Sequence, residues 1–268
     1  MSSDSIEFLA ARAALIAACV EMETILSGIA NKQEQVVEDV HHLRQLGKRL
    51  RGALEMSGEA KPCLRWVSVI GRMLGASRDA TVRASTWRGL GGDSMLPGSI
   101  EAAIDSLLEQ EARAARQPPP AGVCEWSRLA IEQIRSRLEA RDDRELAASA
   151  QQGAETCRRR LRKRLKRTLE RVRDEDFHAC RRDLKAWLGG MSLLAPNLDA
   201  PGHAEAGKLA SHLGEEQDLA VLARWLEERG FGPTTAKGTW KHLRKRQEKV
   251  RRRSVTLIRK DLLPALGK

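Results

Sequence analysis

Apolar residues recur along nearly the whole chain at the three- and four-residue spacing of an α-helix, and no alternating strand pattern persists. That periodicity predicts an all-α protein. Turn-rich clusters interrupt it at "GEAKP" (58–62), "GLGGDSMLPG" (89–98), "RQPPPAG" (116–122), "LAPNLDAPG" (194–202) and "RGFGPTTAKG" (229–238), and helices stop where such residues crowd together. The predicted elements run over about 4–30, 33–57, 62–76, 79–89, 98–116, 124–141, 143–173, 175–193, 202–215, 218–229 and 234–262. The Pro118–Pro120 run marks a boundary between halves of about 1–117 and 123–268. The run is short, so the halves are expected to pack as one domain over 1–268. A chain of 268 residues is long enough for a substantial core.

The halves carry the same signature in the same order. "HHLRQLGK" begins at His41 and "HACRRDLK" at His178; both read H-x-x-R-x-x-x-K. "LGASRD", with Leu74, Gly75 and Asp79, follows the first, and "LGEEQD", with Leu213, Gly214 and Asp218, follows the second. The histidines lie 137 positions apart, and the Leu-Gly pairs and the aspartates 139. Near-constant offsets over several short matches indicate two copies of one helical unit.

Within each copy the cations line up. At about 100° per residue, offsets of 0, 3 and 7 fall inside an arc of roughly 60°, so His41, Arg44 and Lys48 share one face and Arg51 continues it. His178, Arg181 and Lys185 repeat the row, with Leu188 in the fourth place. A row of one sign suits a groove that holds an anion better than a solvated face, where charges are normally mixed. Two further helices add to it. Residues 158–173 hold ten cations and one acid, with Leu161, Leu165, Leu169 and Val172 spaced to bury one stripe and Arg162, Lys166 and Arg173 beside it. Residues 237–260 bury Trp240, Leu243, Val250 and Leu257, with Lys237, Arg244 and Arg251 in a row alongside.

The formal net charge is +11, but it is not evenly spread. Residues 153–186 carry +7 and residues 237–268 carry +10, leaving −6 for the rest. Surface ion pairs worth about 0–1 kcal/mol each would not explain such segregation, and a polyanionic partner would. Six Trp, three Phe and no Tyr give few platforms for stacking bases, which weakens single-stranded nucleic acid as that partner. With 41 % hydrophobic and 31 % charged residues the chain has the balance of an ordered globular protein.

Other classes of chemistry lack residues. Cys19, Cys63, Cys124, Cys157 and Cys180 are odd in number, widely spaced and without a C-x-x-C, against a disulfide scaffold or a zinc site. No nucleophile elbow, Walker loop, zincin pattern or paired-carboxylate constellation occurs. Asp4 and Glu7 stand where a signal peptide needs cations, and no segment is long enough to span a bilayer, so the expected location is the cytoplasm. No cofactor and no metal are expected. His41 and His178 have several readings: neutral core residues that orient neighbours, phosphate donors, phosphoacceptors, or metal ligands. Asp79 and Asp218 read as helix N-caps or as carboxylates that hold Arg44 or Arg78 in place. The tryptophans read as core.

"VHHLRQLGKRLRGAL" followed by "LGASRDATV", then "HACRRDLKAWL" followed by "LGEEQDLAVL", resembles the CHAD domain, the conserved histidine α-helical domain. The resemblance touches both halves. It implies two pseudo-symmetric four-helix bundle halves packed together, and a basic surface that binds inorganic polyphosphate without turning it over. Within it, His41, Arg44, Lys48, Arg49, Arg51 and Arg78 correspond to the first motif set and His178, Arg181 and Lys185 to the second. Ala186 and Leu188 stand where the family often has further cations, and Gln217 stands where Arg78 stands in the first copy, which points to a weaker second half-site. Location at polyphosphate granules would follow. A nucleic-acid-binding helical module and a histidine phosphotransfer protein are the alternatives.

Overall fold

The computed structural model describes residues 8–31, 36–91, 99–114 and 118–267. The described elements are helices: α1 (Ala11–Asn31), α2 (Val36–Met56), α3 (Lys61–Met73), α4 (Gly75–Gly91), α5 (Ser99–Ala114), α6 (Ala121–Glu139), α7 (Asp143–Arg171), α8 (Asp174–Leu194), α9 (His203–Glu228) and α10 (Lys237–Leu257). A π-helical turn (Ile258–Leu262) then leads into the short α11 (Leu263–Leu266). Local chemistry sets several ends. The Asp142 carboxylate accepts hydrogen bonds from the backbone N–H groups of Arg144 and Glu145 and starts α7, which stops where Val172 turns left-handed at φ 50°. Asp174, Glu175 and Asp176 occupy the first turn of α8, where the helix dipole favours acids.

Among the described residues two hydrophobic cores form. The larger takes side chains from α1, α2, α3, α6, α7, α8, the first half of α9 and the C-terminal Ile258, Leu262 and Leu266. The smaller joins Ala84 and Trp87 of α4, Ile104 and Leu108 of α5, Leu222, Trp225 and Leu226 of α9, and Trp240 and Leu243 of α10. Each core therefore draws helices from both sides of Pro118–Pro120, and α9 runs through both.

The single α9 differs from the two elements expected at 202–215 and 218–229. Gly214 has nothing near its missing Cβ and lies inside the helix. An interior glycine costs about 1 kcal/mol, and the burial of Leu209, Leu213, Leu219 and Leu222 along one helix outweighs it. Asp218 is consequently mid-helix, and Asp79 is the fifth residue of α4, so neither is an N-cap. Val172 is exposed rather than part of the α7 stripe, and Trp126 lies on the surface at 38 % exposure, unlike the buried Trp187.

The most extensive helix–helix contact is between α2 and α8, the two helices that carry the H-x-x-R-x-x-x-K rows. Their backbones touch. A Cβ on Gly52 would collide with the Ala186 carbonyl oxygen, and one on Gly190 would lie 3.1 Å from the Gly52 carbonyl carbon. A Cβ on Gly189 would meet the Arg49 Cα at 3.1 Å. The pairs Gly52–Ala186 and Arg49–Gly189 exchange with each other under the 137-residue repeat offset.

Candidate functional site

Side chains of the first row turn from α2 toward α3. The Arg44 guanidinium donates to the Gly71 carbonyl at the end of α3, and its Nη1 sits 2.9 Å from where a Cβ on Gly75 would be. In the first copy the Leu-Gly motif and the arginine of H-x-x-R thus work together: Gly75 leaves the room in which the Arg44 guanidinium reaches a carbonyl of the last turn of α3. Arg51 donates from Nε to the Ser68 hydroxyl at 2.9 Å, with its Nη1 3.9 Å from Glu55. Lys48 is exposed between them.

Two hollows adjoin along this α2–α3 face and share Arg51, Ser68 and Arg72. The outer one, of about 460 Å³, is lined by Arg51, Lys61, Leu64, Arg65, Ser68, Val69 and Arg72. The inner one, of about 230 Å³, has Arg44, Lys48, Arg51 and Arg72 at its rim, over a floor that includes Met22, Leu43, Gly47, Val67 and Ile70. Among the described residues that line the two hollows there is no carboxylate. Guanidinium and ammonium groups converging around a concavity suit an anionic ligand, and their positive potential raises its local concentration.

Lys61, Arg65 and Arg72 were not singled out in the sequence. Their signal is there: offsets of 0, 4 and 11, with Ser68 at 7, form one face of α3 opposite the buried Cys63, Val67 and Ile70. The run is short and less dense in charge than α7 or α10, so it does not stand out in a charge count.

The other expected site residues lie elsewhere. His41 is half-buried beside Gln45 of its own helix, and Arg49 is exposed at the α2–α8 crossing. The side chain of Arg78 lies outside those described. In the second copy His178 is exposed and meets the side-chain amide oxygen of Gln217 through Nδ1 at 3.3 Å, while Arg181 and Lys185 are half-buried on α8. The second row thus borders α9 rather than α3, and it lines neither hollow.

On α7 the cations divide into two sets. Arg160 and Arg164 reach the buried Asp183, Arg160 also meets Glu55, and Arg167 pairs with the buried Asp176. Arg162 and Lys166 are exposed. On α10, Lys237 is exposed and Arg244 is exposed over the Trp240 ring at 5.8 Å. Arg251 has a different setting. It donates to Asp174 at 2.6 Å and to Glu216, and it stacks 5.2 Å above Phe177. Burial acts to lower its pKa, but these carboxylates outweigh that and hold it above the ordinary arginine value. Part of the segregated charge therefore welds helices together, and only part is presented outward.

All five cysteines are buried free thiols, and burial pushes Cys19 and Cys180 up to about 12, far from a reactive thiolate. Among the described residues no group of three or more His, Cys, Asp or Glu could hold a metal ion. No described helix is long and apolar enough to cross a membrane.

No curated protein matches the chain. Among solved structures, the crystal structure of the CHAD domain from the plant Ricinus communis superposes with a TM-score of 0.52 over 98 % of this chain and 89 % of that one, at 17 % identity. At that identity the likeness concerns the fold. The family model of the CHAD domain matches residues 14–227, which include both H-x-x-R-x-x-x-K rows and both Leu-Gly motifs. The chain belongs to the CHAD domain family.

Proposed function

We propose that this protein binds inorganic polyphosphate without turnover, along the cation-edged face between α2 and α3. The observation that carries the reading is the pair of adjoining hollows edged by Lys48, Arg51, Lys61, Arg65 and Arg72. A phosphate chain has about one charge per unit and no bases, so it needs an array of donors and no stacking platforms. Arginine forks bridge oxygens of neighbouring phosphates, and lysine adds point charge. Arg44 positions the α3–α4 junction beneath this face. The exposed Arg162, Lys166, Lys237 and Arg244, and the row of His178, Arg181 and Lys185, extend attraction to a long chain beyond one face. We also infer that residues 1–117 and 123–268 are two repeat halves of one domain, a reading supported by the exchanging contacts at the α2–α8 crossing. The use of such binding is docking to polyphosphate or to its granules in the cytoplasm.

Titration with polyphosphate of defined length at two salt concentrations tests the reading. Affinity should fall steeply with salt, by about 0.7 in log–log slope for each phosphate contact, by analogy with single-stranded nucleic acid. Replacing Lys48, Arg65 and Arg72 together by alanine should weaken binding at least tenfold and reduce that slope by about two, with helicity by circular dichroism unchanged. Equal affinity in the triple variant would remove this face from the site. Phosphate release from the polymer, with or without divalent metal, would contradict a non-catalytic role.

A further inference from the structure

With nine cations and one acid over Lys237–Leu257, α10 carries more net charge than any other described helix. The fold sorts these cations by direction. Arg246 and Arg251 turn inward, where Glu215 and Glu216 of α9 clasp them. On the same side the Trp240 indole donates to the Phe231 carbonyl at 2.7 Å, and Leu243 and Val250 are buried. The inner half of α10 is thus held rigidly. Its outer half is exposed. At about 100° per residue, Lys241, Lys245 and Arg252 form a ridge within about 40°. Arg244 lies roughly 80° to one side of that ridge, and Lys249 and Arg253 roughly 60–100° to the other. Glu248, the one acid, meets Arg252 at 3.4 Å. The other five form no ion pair among the described residues. None of the six lines either hollow of the α2–α3 face.

A convex ridge needs a partner of complementary shape as well as charge. A single phosphate chain meets one line of it and leaves the opposite flank bare. The major groove of B-form DNA is about 12 Å wide and admits a helix, whose side chains make it about 10–12 Å across. That groove has phosphates along both walls, and acceptors such as guanine N7 and O6 on its floor. The major groove of A-form RNA is too narrow for the same fit. A lipid surface would call for apolar side chains, and none of the large apolar residues described as exposed lies on α10. We infer that the outer half of α10 is a second binding surface, which enters the major groove of double-stranded DNA. Arg244 faces the phosphates of one strand, Lys249 and Arg253 those of the other, and Lys241, Lys245 and Arg252 lie over the floor.

The test measures fluorescence anisotropy of a labelled DNA duplex of about two helical turns, against an RNA duplex of the same sequence and with poly-L-glutamate as competitor. The DNA duplex should bind at least tenfold more tightly than the RNA duplex. Dimethyl sulfate should find guanine N7 protected in the complex, which reads occupancy of the major groove directly. Combining Lys241→Ala, Lys245→Ala, Lys249→Ala and Arg253→Ala should weaken DNA binding at least tenfold and lower its log–log salt slope by about 3–4. The same variant should keep native helicity and its affinity for short inorganic polyphosphate. Joint replacement of Lys48, Arg65 and Arg72 by alanine should leave DNA binding intact, so the two surfaces stand or fall separately. RNA bound as tightly as DNA, poly-L-glutamate displacing DNA charge for charge, binding without N7 protection, or an equal loss of short polyphosphate in the α10 variant would each overturn the inference.

Discussion

At the residue scale, Arg44 has two duties in prospect and the structure emphasises one. As a member of a cationic row it reads as a ligand donor. In the fold its guanidinium satisfies the Gly71 carbonyl and fills the space over Gly75. Arg44→Ala should therefore destabilise the protein by about 1–3 kcal/mol, the cost of a half-buried carbonyl losing its donor, measured by urea denaturation. Arg65→Ala, an exposed neighbour of the same charge, should change stability by less than about 0.5 kcal/mol. If Arg44→Ala is equally neutral, the positioning role is wrong. A double substitution at Arg44 and Lys48 would mix lost contacts with a loosened α3–α4 junction, so exposed cations give the cleaner test of binding.

At the scale of elements, charge serves as adhesive as well as bait. The acidic side chains of α8 neutralise one face of α7 through Asp183 and Asp176, and Glu216 with Asp174 fixes α10 through Arg251. In the smaller core, Glu111 of α5 accepts from Arg83 of α4 at 2.8 Å and from the Trp225 indole of α9 at 3.0 Å, and it also meets Arg229. Burial works to raise its pKa, but the hydrogen bonds from Arg83 and Trp225 and the charges of Arg83 and Arg229 outweigh it, so the carboxyl lies below the ordinary glutamate value. A lowered carboxyl stabilises the fold above the unfolded-state value, about 4.3, and that contribution fades as pH falls through the folded-state value. Glu111→Gln should accordingly cost stability at pH 7, and its deficit against the native protein should shrink in acid. Urea midpoints at neutral and acid pH measure this. A deficit that is constant with pH would mean that the charge of Glu111 contributes nothing.

At the scale of the whole molecule, the crossing of α2 and α8 is the joint between the two helices that carry the H-x-x-R-x-x-x-K rows. A Cβ on Gly52 has no flexible neighbour to displace, since the nearest atom is a backbone oxygen. Gly52→Ala gains helix propensity of about 1 kcal/mol but forces the helices apart, and the net loss should be at least about 1–3 kcal/mol, read from the urea midpoint. A neutral result would show that the two helices can separate without cost. Gly47→Ala, five residues earlier on the same helix, should instead be neutral or stabilising, because its Cβ meets only ordinary contacts.

Much of this was legible in the chain itself. Helical class follows from spacing, because a 3.6-residue apolar period buries one stripe whatever the neighbours are. The duplicated H-x-x-R-x-x-x-K and Leu-Gly motifs and the segregation of cations are also local facts, and they led to the CHAD family. What spacing could not say is where a charged side chain ends up, since that depends on which helix lies opposite. Arg251 and Arg162 look alike in sequence, yet one is clasped by two carboxylates and the other is exposed. Gly214 and Gly52 are both interior glycines, but only Gly52 meets another backbone. The tertiary arrangement alone brought α3 beside α2, so that Lys61, Arg65 and Arg72 complete a face that the first row only begins. Burial and charge pairing are properties of pairs of elements, and a single strip of sequence contains just one member of each pair.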